Sequence, residues 1–324
     1  MNVFITRVIP ESGLRLLEEA GLKIRQWTQK RKMTRDELIE ECYWADALLS
    51  AGQQLDQEFL EASKHLKIIA LHSVGYDNVD IKTATRLKIP VGNTPGVLSG
   101  ATADTAFLLM MAVARNAFYM NRRIINGEWG FFEPTANLGK ELNGCTLGVF
   151  GLGKIGLEMA KRCKGAFGMK IIYHNRSRNI EAEQELGAEL VSFEELLKQS
   201  DVITVHTALT PETDGKFDLE VFKQMKPGSI FINTARGKIH QETDLIEALE
   251  SGFIWGAGLD VTSPEPMRPD NKLLFMPNVA VLPHIGSATE GTRNAMAKLA
   301  AENIIAVANG ERPPFLVNPE VYSL

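Results

Sequence analysis

The chain has 324 residues, of which 44% are hydrophobic, and it carries a formal net charge of −5 at pH 7. Length and composition together suffice for two compact cores, so the sequence predicts two domains. The acidic balance, with no run of Lys and Arg longer than Lys30-Arg31-Lys32, argues against nucleic acid as a partner.

Several other classes of protein are disfavoured by particular residue types. The three cysteines, Cys42, Cys145 and Cys163, are widely spaced and form no CxxC pair, which indicates reduced thiols in a cytoplasmic protein. The N-terminal segment lacks the pattern of a signal peptide, and the apolar stretch 107–114 is too short to cross a bilayer, so we expect no membrane partner. No metal site is predicted, because no metal-ligand spacing is shared by His65, His72, His206 and His240.

Short β-branched runs alternate with amphipathic segments along the chain, which predicts βα units on parallel sheets. In the first third, a small domain is expected, with a helix at 34–42. Its predicted strands are 3–6, 23–27, 47–50, 68–71 and 89–92. A helix with small and apolar residues at helical spacing then begins near residue 99 and is expected to continue towards residue 125.

From Cys145 onward, seven strand-like runs suit a full Rossmann sheet. A final apolar helix, about 289–308, is expected to pack back on the first domain. The predicted fold is therefore α/β, with two Rossmann-like or flavodoxin-like doubly wound parallel-sheet domains separated by a cleft. The discontinuous first domain, 1–98 plus 287–324, is expected to bind substrate, and the second, 99–286, is expected to bind a nucleotide.

The motif GLGKIG at 151–156 follows the run CTLGVF and opens a helical segment, which is the context of a dinucleotide site. Gly151 would permit the tight turn, Gly153 the close approach of a pyrophosphate, and Gly156 the packing of helix on strand. The helix N-terminus would supply free N–H groups. The alternative is an ordinary glycine-rich turn.

The end of the next strand bears on the choice between NAD and NADP. NAD enzymes typically carry an acid there that accepts hydrogen bonds from the adenosine ribose, but no acid lies between Glu158 and Glu181. The turn contains Asn175, Arg176 and Ser177, and its Arg and Ser suit a 2′-phosphate. We predict a preference for NADP(H). If the arginine is only a solvated turn residue, NAD(H) is bound about equally well.

Three residues after the nucleotide motif have the chemistry for reducing a 2-oxo acid. Arg236, after the run SIFINTA, can bind a carboxylate and polarise a carbonyl. His284, after VAVLP, can deliver a proton near neutral pH, and Glu265 would pair with its imidazole and orient it. Asp260 ends another strand, where it is placed to reach the nicotinamide amide. Each residue alone is usually a surface or structural residue, so their shared position at strand ends is what favours one site.

At these residues the chain resembles the D-isomer-specific 2-hydroxyacid dehydrogenases, and among them the glyoxylate/hydroxypyruvate reductases. The resemblance spans nearly the whole chain and includes FINTARG, GAGLDVTSPEP, LPHIGSAT and GLGKIG. It implies that Arg236 is the substrate-binding catalytic arginine, Glu265 the partner acid and His284 the general acid/base. The cofactor contacts that it implies are those of Thr102, Lys154, Ile155, Thr234 and Asp260. The substrate contacts that it implies are the backbone N–H groups of Val74 and Gly75 and the side chain of Ser287.

The implied reaction is the NAD(P)H-dependent reduction of glyoxylate or hydroxypyruvate to the D-2-hydroxy acid. Two alternatives within the enzyme class are a 2-ketogluconate reductase and an NAD-dependent glycerate dehydrogenase. A third, from another class, is a nucleotide-sensing regulator similar to corepressors of this fold. Members of the family commonly dimerise through the cofactor domain, so a homodimer is predicted. Its arm would be residues 116–143, whose Trp129, Phe131 and Phe132 are expected to be buried in the partner rather than within one chain.

Overall fold

The computed structural model describes residues 1–323 and divides into two compact units. The first unit is formed by Met1–Leu98 together with the chain from Ala288 onward, and the second is formed by Ser99–Ser287. Along the described residues, no helix combines the length and the apolar character needed to cross a membrane. Whether the two units bind substrate and nucleotide, respectively, stays a prediction at this point.

The first unit has a five-stranded parallel sheet in the order β2-β1-β3-β4-β5, which is the flavodoxin-like order. Its strands are β1 (Asn2–Ile5), β2 (Lys23–Gln26), β3 (Ala47–Ser50), β4 (Ile68–Leu71) and β5 (Val91–Gly92). Its helices are α1 (Glu11–Glu19), α2 (Arg35–Trp44), α3 (Gln57–Ala62), α4 (Ile81–Arg86) and α12 (Glu290–Ala308), and a 3-10 turn spans Pro319–Tyr322. Every residue of β3 and β4 is buried, because helices cover both faces of a parallel sheet.

The C-terminal helix α12 belongs to this first unit and packs on α1 and against β4. The two helices approach so closely that a Cβ atom on Gly13 would lie only 2.8 Å from Cβ of Ala297. Small side chains on both helices therefore hold the end of the chain against its beginning.

The second unit has a seven-stranded parallel sheet in the order β12-β11-β10-β9-β6-β7-β8. Its strands are β6 (Thr146–Phe150), β7 (Lys170–His174), β8 (Glu189–Leu190), β9 (Val202–Val205), β10 (Ile230–Asn233), β11 (Gly256–Leu259) and β12 (Val279–Val281). Its helices are α5 (Ser99–Ala114), α6 (Ala117–Ile125), α7 (Lys154–Phe167), α8 (Ile180–Leu186), α9 (Phe193–Gln199), α10 (Leu219–Gln224) and α11 (Glu242–Glu250), with 3-10 turns at Gly237–Ile239 and Lys272–Phe275. This is the Rossmann order, with its reversal between β6 and β9, so the predicted fold class is confirmed.

The predicted helix from residue 99 towards residue 125 is wrong in one respect, because it is two helices. Asn116 between them has a φ of 51°, in the left-handed region, which a continuous right-handed helix cannot include. α5 lies against β10 and β11, where Gly258 leaves no room for a Cβ atom beside Leu109. The break therefore ends the part of the helix that packs on the sheet.

Four neighbouring strands of the second sheet end in register. Val205 of β9 is aligned with Asn233 of β10, Asn233 with Leu259 of β11, and Leu259 with Val281 of β12. The loops that follow these residues therefore leave the sheet along one carboxyl edge, which is where open α/β sheets bind their ligands.

Candidate active site

Glu265 and His284 form the contact that defines the candidate site. His284 follows β12 and donates a hydrogen bond from Nδ1 to Oε1 of Glu265 at 2.6 Å. Burial raises the pKa of Glu265, but the hydrogen bond and the charge of His284 outweigh it and leave this pKa below its usual value. Because Nδ1 is engaged by the carboxylate, Nε2 is the ring nitrogen left to exchange a proton with a substrate. The pairing expected from the sequence is therefore present.

The backbone at His284 is in an unusual conformation, with a φ of 54°. Asp260, directly after β11, holds the two residues that follow it. Its Oδ1 accepts from the N–H of Ile285 at 2.8 Å and its Oδ2 accepts from the N–H of Gly286 at 2.7 Å. Burial raises the pKa of Asp260, and these two donors oppose the increase. A buried carboxylate thus holds the segment that follows the unusual backbone conformation of His284.

Arg236 lies three residues beyond the end of β10 and is half-buried. Its Nη1 donates to the carbonyl of Ala235 at 2.7 Å, and its charge is among the influences that lower the pKa of Glu265. The next residue, Gly237, packs on the loop that carries Glu265, since a Cβ atom here would lie 2.0 Å from the carbonyl oxygen of Thr262. A guanidinium, a carboxylate and an imidazole therefore lie on neighbouring loops of one sheet edge.

Two predicted cofactor residues also lie at this edge. Thr102 of α5 is buried beside Gly286, because a Cβ atom added to that glycine would lie 3.3 Å from Cγ2 of Thr102 and 2.9 Å from Oδ2 of Asp260. Thr234 follows β10, and its Oγ1 lies 3.4 Å from Nδ1 of His206 at the end of β9. Both threonines are thus among the residues of the candidate site.

The glycine-rich turn has the shape that a dinucleotide requires. Gly151 has a φ of 97°, which glycine adopts readily, and Gly156 packs so closely that a Cβ atom would lie 2.7 Å from the Gly151 carbonyl. At Gly153, by contrast, a Cβ atom would meet nothing within 4 Å, so the backbone faces open space. α7 begins there without a side-chain cap, which leaves the N–H groups of its first turn, at Lys154 and Ile155, available to a phosphate. The residues present fit the pyrophosphate of a nicotinamide cofactor.

The turn after β7 separates its two arginines by environment. Arg176, Ser177 and Arg178 are all exposed, but Arg178 forms an ion pair with Glu183. Asn175 is directed inward, and its Oδ1 accepts a 2.7 Å hydrogen bond from a backbone N–H of the glycine-rich turn. The predicted 2′-phosphate contact can therefore involve Arg176 and Ser177, while Asn175 connects this turn to the pyrophosphate turn.

The remaining predicted substrate residues lie on two segments. Val74 and Gly75 follow β4 in the first unit, where the Ser73 hydroxyl donates to the Gly75 carbonyl at 2.7 Å. Ser287 is the last residue of the second unit and is half-buried. The substrate contacts of these residues stay predictions, as do the catalytic roles assigned above.

Two buried residues beside Arg236 belong to no predicted site. Asn233, the last residue of β10, is 0% exposed, and His240 is 2% exposed. The Asn233 amide contacts both His240 and the carbonyl of Arg236. The one feature of the sequence that could have indicated a role for Asn233 is its position at a strand end, three residues before Arg236.

Two further features bear on cofactors and partners. Among residues 1–323, no three or more His, Cys, Asp and Glu side chains are grouped so that they could hold a metal ion. In the segment after α6, Trp129, Phe131 and Phe132 are 81%, 93% and 79% exposed. These rings therefore do not pack within this chain.

Comparison of the sequence and the fold with known proteins identifies a family. Residues 107–286 match the family model described as D-isomer specific 2-hydroxyacid dehydrogenase, NAD binding domain. A glyoxylate reductase of Thermococcus litoralis is 48% identical, over 99% of this chain and 97% of the relative. A Thermus thermophilus structure is similar with a TM-score of 0.91 and 42% identity, covering 98% of this chain and 100% of that one. The NADPH-dependent glyoxylate/hydroxypyruvate reductase of Sinorhizobium meliloti, in complex with NADP and malonate, has a TM-score of 0.85 and 31% identity, covering 98% and 97% of the two chains.

Proposed function

This chain belongs to the D-isomer-specific 2-hydroxyacid dehydrogenase family and is an oxidoreductase, and from that premise we propose that it reduces glyoxylate and hydroxypyruvate to glycolate and D-glycerate. The observation that carries the proposal is the 2.6 Å contact between His284 and Glu265, beside Arg236, on the sheet that carries the glycine-rich turn. The relatives that are named glyoxylate reductases support the choice of substrate.

Arg236 binds the carboxylate of the oxo acid in this proposal. Its planar guanidinium matches a carboxylate or the paired oxygens of a 2-oxo acid, and one of its donors is already directed to the Ala235 carbonyl, which fixes the plane of the fork. A donor near the carbonyl oxygen also stabilises the negative charge that develops there during reduction. Arg236 therefore both anchors the substrate and polarises it.

His284 supplies the proton. Glu265 accepts the Nδ1 hydrogen bond and orients the ring, so that Nε2–H faces the substrate oxygen. A nicotinamide cofactor held at the glycine-rich turn would supply a hydride to the carbonyl carbon. As the carbonyl π bond breaks, its oxygen takes the Nε2 proton and His284 becomes neutral; in the reverse reaction the neutral ring removes that proton.

The preference for NADP(H) is part of the proposal, with NAD(H) as the alternative. It is supported by the exposed Arg176 and Ser177 at the end of β7, since a guanidinium and a hydroxyl together suit a 2′-phosphate. Arg178 contributes less, because Glu183 already holds it. The Sinorhizobium meliloti relative, described as NADPH-dependent, is in accord with this choice.

We further propose that the protein is a cytoplasmic homodimer. The exposed rings of Trp129, Phe131 and Phe132 support the dimer, because clustered aromatic side chains on the surface mark protein–protein contacts. The three free cysteines support the location, since an unpaired set is typical of a reducing compartment.

Initial rates of cofactor oxidation test the function directly. Glyoxylate, hydroxypyruvate, pyruvate and 2-ketogluconate would each be measured with NADPH and with NADH. The proposal expects the highest kcat/KM for glyoxylate or hydroxypyruvate with NADPH. Highest activity with 2-ketogluconate would reassign the substrate, and no oxidation with any oxo acid would reject the proposed function.

A further inference from the structure

The buried side chain of Asn233, at the end of β10, makes three polar contacts. Its Oδ1 accepts a hydrogen bond from the N–H of Ala235 at 2.9 Å, and its Nδ2 donates to the carbonyl of Arg236 at 2.9 Å. The same Nδ2 lies 3.1 Å from Nδ1 of His240. One amide thus closes the turn on which Arg236 is carried and connects that turn to a residue at its far end.

These contacts determine which way the amide and the imidazole are oriented. A backbone N–H can only donate and a carbonyl can only accept, so Oδ1 must face Ala235 and Nδ2 must face Arg236. Nδ1 of His240 then has to accept the second Nδ2 proton, which places the ring proton on Nε2. Burial lowers the pKa of His240 to about 4, so the neutral ring that this arrangement needs is the form present near neutral pH.

The surroundings of His240 indicate a specific role for its Nδ1. The ring is 2% exposed and packs edge-on against Phe231, with 5.8 Å between the ring centroids. Its Nε2 is buried without a hydrogen-bond partner in the part of the chain that the structure describes. A phenylalanine would keep an aromatic ring here without an unpaired N–H, so the polar contact with Asn233 is what the imidazole adds.

The main chain of Asn233 extends the connection to the other half of the site. Its carbonyl accepts from the N–H of Asp260 at 3.0 Å, and the Asp260 carboxylate in turn holds the two residues that follow His284. The turn of Arg236 and the turn of His284 are therefore joined through one buried polar residue at the end of β10.

We propose that Asn233 and His240 are positioning residues for Arg236: the imidazole holds the amide, and the amide holds the backbone of the substrate-binding turn. This inference rests on the proposed role of Arg236 in binding the oxo acid. A displacement of about 1 Å at a substrate-positioning group can cost about 10²-fold in rate. Because the pair holds the turn of Arg236, its loss should impair use of the oxo acid more than binding of the cofactor.

The test compares His240→Phe, Asn233→Asp and a control, Ser229→Ala. The first keeps an aromatic ring, slightly larger, without the acceptor, and the second keeps the side-chain shape without the donor. The control removes the buried Ser229 hydroxyl, which lies directly before the same strand and has no hydrogen-bond partner among the described residues. KM and kcat are measured for glyoxylate and for the nicotinamide cofactor. Hydrogen exchange of the peptide 234–240 is followed by mass spectrometry.

The expected result is a rise of about tenfold or more in KM for glyoxylate in both variants, with KM for the cofactor little changed and faster exchange in peptide 234–240. His240→Asn, whose Oδ1 takes the place of Nδ1, should have a KM for glyoxylate much closer to that of the unmodified protein. Ser229→Ala should leave both readouts unchanged.

Unchanged KM for glyoxylate in folded His240→Phe and Asn233→Asp would overturn the proposal, with or without faster exchange. If His240→Phe does not fold, Asn233→Asp decides alone. If none of the oxo acids supports cofactor oxidation by the unmodified protein, the proposed function fails. Hydrogen exchange then decides separately whether Asn233 and His240 order the turn.

Discussion

Replacing Gly237 by Ala places a methyl group between the two loops that carry Arg236 and Glu265. An ideal Cβ atom at Gly237 would lie 2.0 Å from the carbonyl oxygen of Thr262 and 2.8 Å from the nitrogen of Ser263. Ordinary contact begins at 3.4 Å, so the two backbones must separate by about 1.4 Å. Both neighbours are backbone atoms, which cannot rotate away as a flexible side chain can.

This separation has two expected consequences, one for stability and one for activity. Overpacking in a dense interior costs about 1–3 kcal/mol, so the variant should fold with a lower free energy of unfolding. Activity should fall as well, because Arg236 adjoins the altered residue and Glu265 lies on the displaced loop. A misplacement of about 1 Å at a reacting centre costs about 10²-fold, and we expect this loss in kcat/KM for glyoxylate. Binding of the cofactor at the glycine-rich turn should change little.

Steady-state kinetics and chemical denaturation of the variant measure both effects, with Gly165→Ala as the matched control. Gly165 lies in α7 of the same unit, and a Cβ atom there would meet nothing within 4 Å. The control should keep its kinetic constants and gain up to about 1 kcal/mol of stability, because alanine is the better helix former. If Gly237→Ala retained the kcat/KM of the unmodified protein, close packing of the two loops would not be needed for catalysis.

Further predictions concern the acid, the cofactor and the partner. Glu265→Gln should lower kcat by about 10²-fold or more, since positioned acid–base groups contribute about 10²–10⁴-fold. Burial raises the pKa of Glu265, but His284 lowers it more, so this pKa lies below 4.5. The ionised carboxylate therefore adds stability that is complete above pH 4.5 and is lost as the pH falls further. Thermal unfolding of Glu265→Gln should lack this component, and an identical pH dependence in both proteins would contradict the lowered pKa. Arg176→Ala should raise KM for NADPH roughly 10- to 100-fold and leave KM for NADH little changed, whereas equal effects on both would exclude a 2′-phosphate contact. In light scattering, the unmodified protein should have twice the 35.8 kDa chain mass, and a joint Trp129→Ser and Phe131→Ser change should halve it; a monomeric unmodified protein would reject the dimer.

Hydrophobic pattern and motif context predicted much of this molecule. The seven strand-like runs after Cys145 form the seven strands of the second sheet. Most of these strands are buried and are therefore continuous apolar runs that are easily recognised, whereas both residues of β8 are exposed. The contact between Glu265 and His284 was likewise expected, because both follow strands that end at one edge. The break at Asn116 was missed, since an apolar pattern alone does not register a single left-handed residue.

The parts that were not predicted depend on contacts between segments distant in sequence. Asn233 is an ordinary strand-end residue until the amide is seen to face Arg236 and His240 together. Gly237 becomes a steric requirement only when Thr262 is known to lie against it. The exposure of Trp129 could not be read from its neighbours either, because aromatic content does not distinguish packing within a chain from packing on a partner.

His284→Ala tests the central claim, that His284 supported by Glu265 protonates an oxo acid bound by Arg236. The account predicts that kcat for glyoxylate falls by about 10²–10⁴-fold while the dissociation constant for NADPH, measured by fluorescence titration, is unchanged. Turnover close to that of the unmodified protein, with intact cofactor binding, would contradict it.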